Sequence, residues 1–102
     1  MVVTRSGELQ CPVLGLIGEV DIATVPIVRD AIDAALAQGA RALTIDLTSV
    51  NFVDSAGLGL LVAYHRRLRD ERGTGIVVSG VRSPVRRVFE ITGLDSLLAR
   101  DD

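Results

Sequence analysis

Lysine is absent from this 102-residue chain: all 11 basic residues are arginine. Set against 13 acidic residues they leave a formal net charge of -2, so no basic face for nucleic acid is indicated. The all-arginine usage reads as codon bias rather than as chemistry. Cysteine occurs once, at Cys11, which excludes an internal disulfide and a cysteine metal cluster. The expectation is a buried, reduced thiol. Tryptophan is missing and aromatic residues make up only 3%, so the core has to be built from Val, Ile, Leu and Ala. No apolar run approaches ~18 residues, the length a membrane-spanning helix needs. Met1 to Gln10 lacks the basic start and long apolar stretch of a signal peptide, and the cytoplasm is the expected location. There is no linker, repeat or low-complexity segment.

What is present is enough for one domain. Hydrophobic residues at 48% and charged residues at 24% are ordinary globular values, sufficient for a single core. The chain is organised around Leu43 to Val62. Leu43, Ile45 and Leu47 alternate with Thr44 and Asp46, the period of a half-buried strand. After Ser55 the period becomes helical, with Gly57, Leu61, Tyr64 and Leu68 on one stripe and Leu60 beside it. Asp54 and Ser55 sit where strand hands over to helix, a place hospitable to negative charge.

The other elements follow in order. Val2–Glu8 reads as a weak edge strand; Pro12 interrupts the pattern, and Val13–Ile17 reads as a buried strand. Thr24 is the expected N-cap of a helix with Pro26 in its first turn, Val25, Val28, Ile32, Ala35 and Leu36 inward, and Gly39 at its end. The polar run Arg66–Arg72 reads as a solvated helix face ending at Gly73. Ile76–Ser79 is a continuously apolar strand. Ser83-Pro84 is expected to cap a third helix with Val85, Val88, Phe89 and Thr92 inward, stopped by Gly93, with Leu94 packing back. Asp95–Arg100 reads as a last helical turn that docks Leu97 and Leu98, with Asp101 and Asp102 as tail. Strands alternating with helices at these lengths imply an α/β fold with parallel pairing and right-handed crossovers.

Four features are candidates for chemistry. Asp54-Ser55 has the strand-turn-helix placement of a nucleophilic serine, but Val53 stands where that turn needs glycine. The one histidine, His65, is ten residues along the same helix, ~15 Å away at ~1.5 Å per residue, so no triad forms within the chain. Ser and Asp are equally the preferred residues of an ordinary N-cap. Gly57 and Gly59 cost a helix ~1 kcal/mol each against alanine, and fit either close packing on a sheet or close approach of a partner. No lysine follows them, so a phosphate-cradling loop is unsupported. Glu19 and Asp21 form a carboxylate pair at a strand's C-terminal end, where open α/β sheets bind ligands, and share a rim with Asp54 and Ser55 or simply face water. As cation ligands they are too few. His65 reads as a surface or boundary residue.

Three blocks in order resemble one family. D-L-T-S-V-N-F-V-D-S-A-G-L-G-L-L (Asp46–Leu61) resembles the signature of the STAS domain, specifically that of bacterial anti-anti-sigma factors. G-E-V-D (Gly18–Asp21) is similar to that family's second-strand motif, and S-P-V-R-R-V-F-E-I-T-G-L (Ser83–Leu94) to its C-terminal helix. The resemblance implies a single STAS domain over residues 1–102, with a small, mixed, mostly parallel sheet of four to five strands and helices packed on it. It implies a non-enzymatic regulator, without cofactor or metal, that binds an anti-sigma factor and so releases a sigma factor. The anti-sigma factor would be a serine kinase of the ATPase fold that phosphorylates Ser55 and thereby ends binding, and a PP2C-type phosphatase would restore it. Asp54 and Asp21 match family positions on that face, Asp54 as a recognition residue rather than a base. Glu19, Gly57 and Gly59 fall on the same rim, and Leu58 and Val62, expected to be exposed, are candidates for its apolar part. Direct contact with nucleic acid or membrane is not implied. The alternative role within the same family is a STAS subunit regulating a transporter or a signalling assembly.

Overall fold

The computed structural model describes residues 1–98. The expected end of the last turn at Arg100 and the tail Asp101–Asp102 lie outside them. Four strands, β1 (Val2–Glu8), β2 (Cys11–Val20), β3 (Leu43–Val53) and β4 (Ile76–Ser79), form one sheet in the order β1-β2-β3-β4. The β1–β2 hairpin is antiparallel, and β2, β3 and β4 run parallel. Helix α1 (Val25–Ala37) connects β2 to β3, and α2 (Ser55–Arg72) connects β3 to β4. Both crossovers step the same way across the sheet, which puts both helices on one face. Helix α3 (Val85–Ile91) packs on β3, and a 3-10 turn at Asp95–Leu97 follows it. None of the described helices is long and apolar enough to cross a membrane.

Periodicity explains α1 fully. Its buried residues are Val25, Val28, Ile32, Ala35 and Leu36, one stripe facing the sheet. At its end Gly39 adopts φ 104, its N–H donates to Leu36 O, and Ala40 N–H donates to Ala35 O, the paired bonds of a Schellman motif. Helix α3 ends the same way at Gly93, with Leu94 half-buried against the core. The N-termini differ from expectation. Thr24 precedes α1, but its hydroxyl donates to Glu19 O (2.8 Å) and accepts from Asp21 N–H (3.0 Å) instead of capping the helix. Ser83-Pro84 makes no side-chain cap for α3 either, and Thr92 is exposed, its hydroxyl donating to Val88 O at 2.7 Å.

In β3 the inward residues are Leu43, Ile45 and Leu47, then Val50 and Val53. The period changes from two to three because β3 carries an extra residue twice: Gly15 pairs with Asp46 but Ile17 with Ser49, and Gly18 pairs with Val50 but Val20 with Val53. Each bulge turns the strand by one residue and re-aims the next side chain. Asp46 Oδ1 holds the first bulge by accepting from Thr48 N–H (2.9 Å) and Thr48 Oγ (2.6 Å).

The strand β2 begins at Cys11 and contains Pro12, because its pairing with β3 starts only at Val13 and Pro12 owes that ladder no donor. Cys11 is exposed at the hairpin end opposite Glu8, contrary to the expected buried thiol. The apolar strand β4 is not buried throughout either. It lies at the sheet edge, and Val77, on the uncovered face, is 44% exposed. Leu97 is buried, and Leu98 bridges to Val78, shielding the free edge of β4.

One polar contact ties the helices together: Tyr64 OH on α2 donates to Asp33 Oδ1 on α1 at 2.5 Å. Burial, and then this bond to a carboxylate, push the Tyr64 phenol up to about 12. Its pKa is raised in the folded state, so the contribution to stability is complete below the unfolded value near 10 and is lost as pH rises towards 12. Urea denaturation at about pH 9 and about pH 11 checks this: wild type should lose more stability over the interval than Tyr64→Phe, and equal losses would show that the phenol ionises normally.

Candidate functional site

The second bulge of β3 delivers Val53 to the core and leaves Asp54 and Ser55 at the C-terminal rim of the sheet. Asp54 is the N-cap of α2. Its backbone is extended (φ -102, ψ -175), and its Oδ1 accepts from the N–H groups of Ala56 (3.0 Å) and Gly57 (3.1 Å). Ser55 is therefore the first helical residue. It is exposed, and its hydroxyl makes no hydrogen bond among the described residues.

The neighbouring loop is fixed to this turn. Asp54 N–H donates to Val20 O at 3.1 Å, which sets the end of β2 against the start of α2. Asp21 follows directly. Its Oδ1 accepts from Ala23 N–H (3.0 Å) and Thr24 N–H (3.1 Å), so it organises the entry to α1 that was expected of Thr24. Asp21 is half-buried and Glu19 is exposed. Asp21, Asp54 and Ser55 thus share one rim, two carboxylates committed to backbone N–H groups and one hydroxyl free. Among the described residues no three of His, Cys, Asp and Glu converge as a metal site. His65 is remote from this rim: its Nδ1 accepts from Ile76 N–H at 3.0 Å and fastens β4 to α2.

The two glycines have opposite roles. Gly57 is buried, and a Cβ there would stand 2.6 Å from Val20 Cγ1 and 3.1 Å from Val53 Cγ1. Its role is close helix–sheet packing, and it is not available to a partner as expected. Gly59 is exposed, with nothing within 4 Å of a Cβ. Leu58 also departs from expectation. At 6% exposure it belongs to the core, because α2 is covered on this flank too, by the turn carrying Thr92 and Leu94. It forms the floor of a groove of about 380 Å³ that opens at Ser55 and is lined by Gly59, the exposed Ala63 and the half-buried Val62. The sequence pattern missed Ile22, which is 78% exposed beside Asp21. The available signal was an isolated isoleucine, fitting no stripe, next to the G-E-V-D motif.

The family model described as "Mlab, STAS domain" matches residues 3–99. The chain belongs to the STAS domain family. Its curated relatives include the anti-sigma-B factor antagonist of Listeria monocytogenes, 38% identical over 81 residues, covering 79% of this chain and 70% of the relative. A solved anti-sigma factor antagonist from Mycobacterium paratuberculosis superposes with a TM-score of 0.79 at 33% identity, covering 98% of this chain and 86% of the other. The anti-sigma factor antagonist SpoIIAA in its unphosphorylated form superposes with a TM-score of 0.82 at 23% identity, covering 99% and 89%, a likeness of fold. In this STAS domain the rim residues Asp21, Asp54 and Ser55 lie inside the matched region.

Substitution separates the roles of the two glycines. Gly57→Ala should destabilise the domain by about 1–3 kcal/mol through overpacking against Val20 and Val53. Gly59→Ala should stabilise it by up to ~1 kcal/mol through helix propensity. Urea denaturation with an unchanged m-value reads both, and equal shifts would contradict the close approach at Gly57.

Proposed function

We propose that this STAS domain is an anti-anti-sigma factor acting in the cytoplasm, without catalysis of its own. Its unphosphorylated form binds an anti-sigma factor and releases that factor's sigma factor. The anti-sigma factor is a serine kinase of the ATPase fold, and transfer of phosphate to Ser55 ends the interaction. A PP2C-type phosphatase reverses it. The observation that carries this reading is Ser55 itself: an exposed, unbonded hydroxyl at the first position of α2, with the capping task assigned to its neighbour Asp54. The antagonist names of the relatives support the same role.

Electrostatics explains how one phosphate acts as a switch. It adds about -1.5 to -2 charges at neutral pH. On the free domain this charge sits at a helix N-terminus, where the dipole favours it. Within an interface it is set beside Asp54 and Asp21 and cut off from water. A 10³-fold loss of affinity needs ~4 kcal/mol, and burying an unpaired charge costs that much. No refolding is required. Gly59 and Val62, which line the groove at Ser55, supply the apolar contact, and the exposed Ile22 and Glu19 flank Asp21 on the neighbouring loop.

The test uses wild type, Ser55→Ala and Ser55→Asp as baits in host lysate, with retained proteins identified by mass spectrometry. Wild type and Ser55→Ala should hold an ATPase-fold anti-sigma kinase, and Ser55→Asp should lose it by at least tenfold. Retention of one membrane or scaffold partner by all three baits would instead make the chain a structural subunit and Ser55 an ordinary helix residue.

A further inference from the structure

The groove that opens at Ser55 does not end with the rim. It shares Val62, Arg66 and Leu94 with a second depression of about 190 Å³ that reaches Arg69 and Ser96. Together they follow α2 for about 21 Å, the fourteen steps from Ser55 to Arg69 at ~1.5 Å each. The floor is apolar, from Leu58 and Val62. The far end is basic. Arg66 and Arg69 are exposed, and their side chains form no ion pair or hydrogen bond among the described residues, although Asp70 stands four residues from Arg66, at the spacing helical ion pairs use. The arginines on the other side of α2 are engaged: Arg67 pairs with Glu71 at 3.4 Å, and Arg72 donates to Ala40 O at 2.5 Å. Two unpaired cations one helical turn apart therefore close an apolar trough that is continuous with the serine rim.

We infer that this trough receives an amphipathic helix of the anti-sigma factor, its apolar row on Leu58 and Val62 and two acidic residues one turn apart on Arg66 and Arg69. This rests on the anti-anti-sigma reading. A small anion is a poorer fit, because the trough is open and runs for about 21 Å along α2. A helix in a groove uses its full length and is read through side chains at three- and four-residue spacing. Direction is set by charge. In the reversed orientation the acidic residues would face Asp54 and Asp21. The same arrangement links the trough to the switch through direction: a phosphate on Ser55 adds negative charge at the end away from the acidic pair and penalises the reversed orientation further.

The test measures binding of the purified anti-sigma kinase retained by wild type, at low and high salt. Arg66→Glu and Arg69→Glu should each raise Kd at least tenfold, with the effect shrinking as salt is added. Ala63→Trp, which fills the trough from an exposed position, should also raise it at least tenfold. Arg41→Glu makes the same charge change before β3, at the end of the strand remote from Ser55, and should stay within twofold. If Ser55→Asp abolishes binding while Arg66→Glu, Arg69→Glu and Ala63→Trp all stay within twofold, the serine switch stands and the trough is not its docking site. If wild type binds no such kinase, both readings fall.

Discussion

The first turn of α2 rests on the Val20 and Val53 side chains at the ends of β2 and β3, and Gly57 places no side chain of its own between. Gly57 permits this: its backbone is so close to Val20 and Val53 that a methyl group would not fit. The contact fixes the axis of α2, and Asp54 closes the turn by accepting two of its N–H groups. With the inner side of the turn occupied by glycine and the cap supplied by aspartate, Ser55 is left outside with nothing structural to do. Its freedom is a consequence of its neighbours' commitments.

The same economy extends to the adjoining loop. Asp21 spends its carboxylate on Ala23 and Thr24, and Thr24 spends its hydroxyl on Glu19 and Asp21. The rim therefore has a rigid backbone and an acidic character before any modification occurs. In the proposed switch, a further negative group on it is compatible with the fold and opposed to burial under a partner, so no change of shape is needed.

Much of this was legible in the residues, and the failures have physical causes. Helix α1 packs on one side only, so its apolar stripe identified every buried position. Helix α2 is covered on two sides, and Leu58, off the main stripe, was misread as surface. The bulges of β3 have no signature in a period-two reading, because the extra residues show only against the partner strand. Edge position is a property of the assembled sheet, so the exposure of Val77 was hidden in a uniformly apolar strand. Thr24 and Ser83 are cap-type residues whose loops place them elsewhere, whereas the motif around Asp54 and Ser55 was recognisable because strand, cap and glycine occur together.

In the proposed switch, phosphate on Ser55 changes the surface and leaves the fold intact. Amide hydrogen exchange on the domain carrying phosphoserine at position 55, compared with the unmodified protein, tests it most directly. Changes should be confined to the first turn of α2 and the Asp21–Thr24 loop, with protection in β2, β3 and the rest of α2 unaltered. Loss of protection across β2 and β3 would show that the modification acts by loosening the domain, and would contradict the electrostatic account.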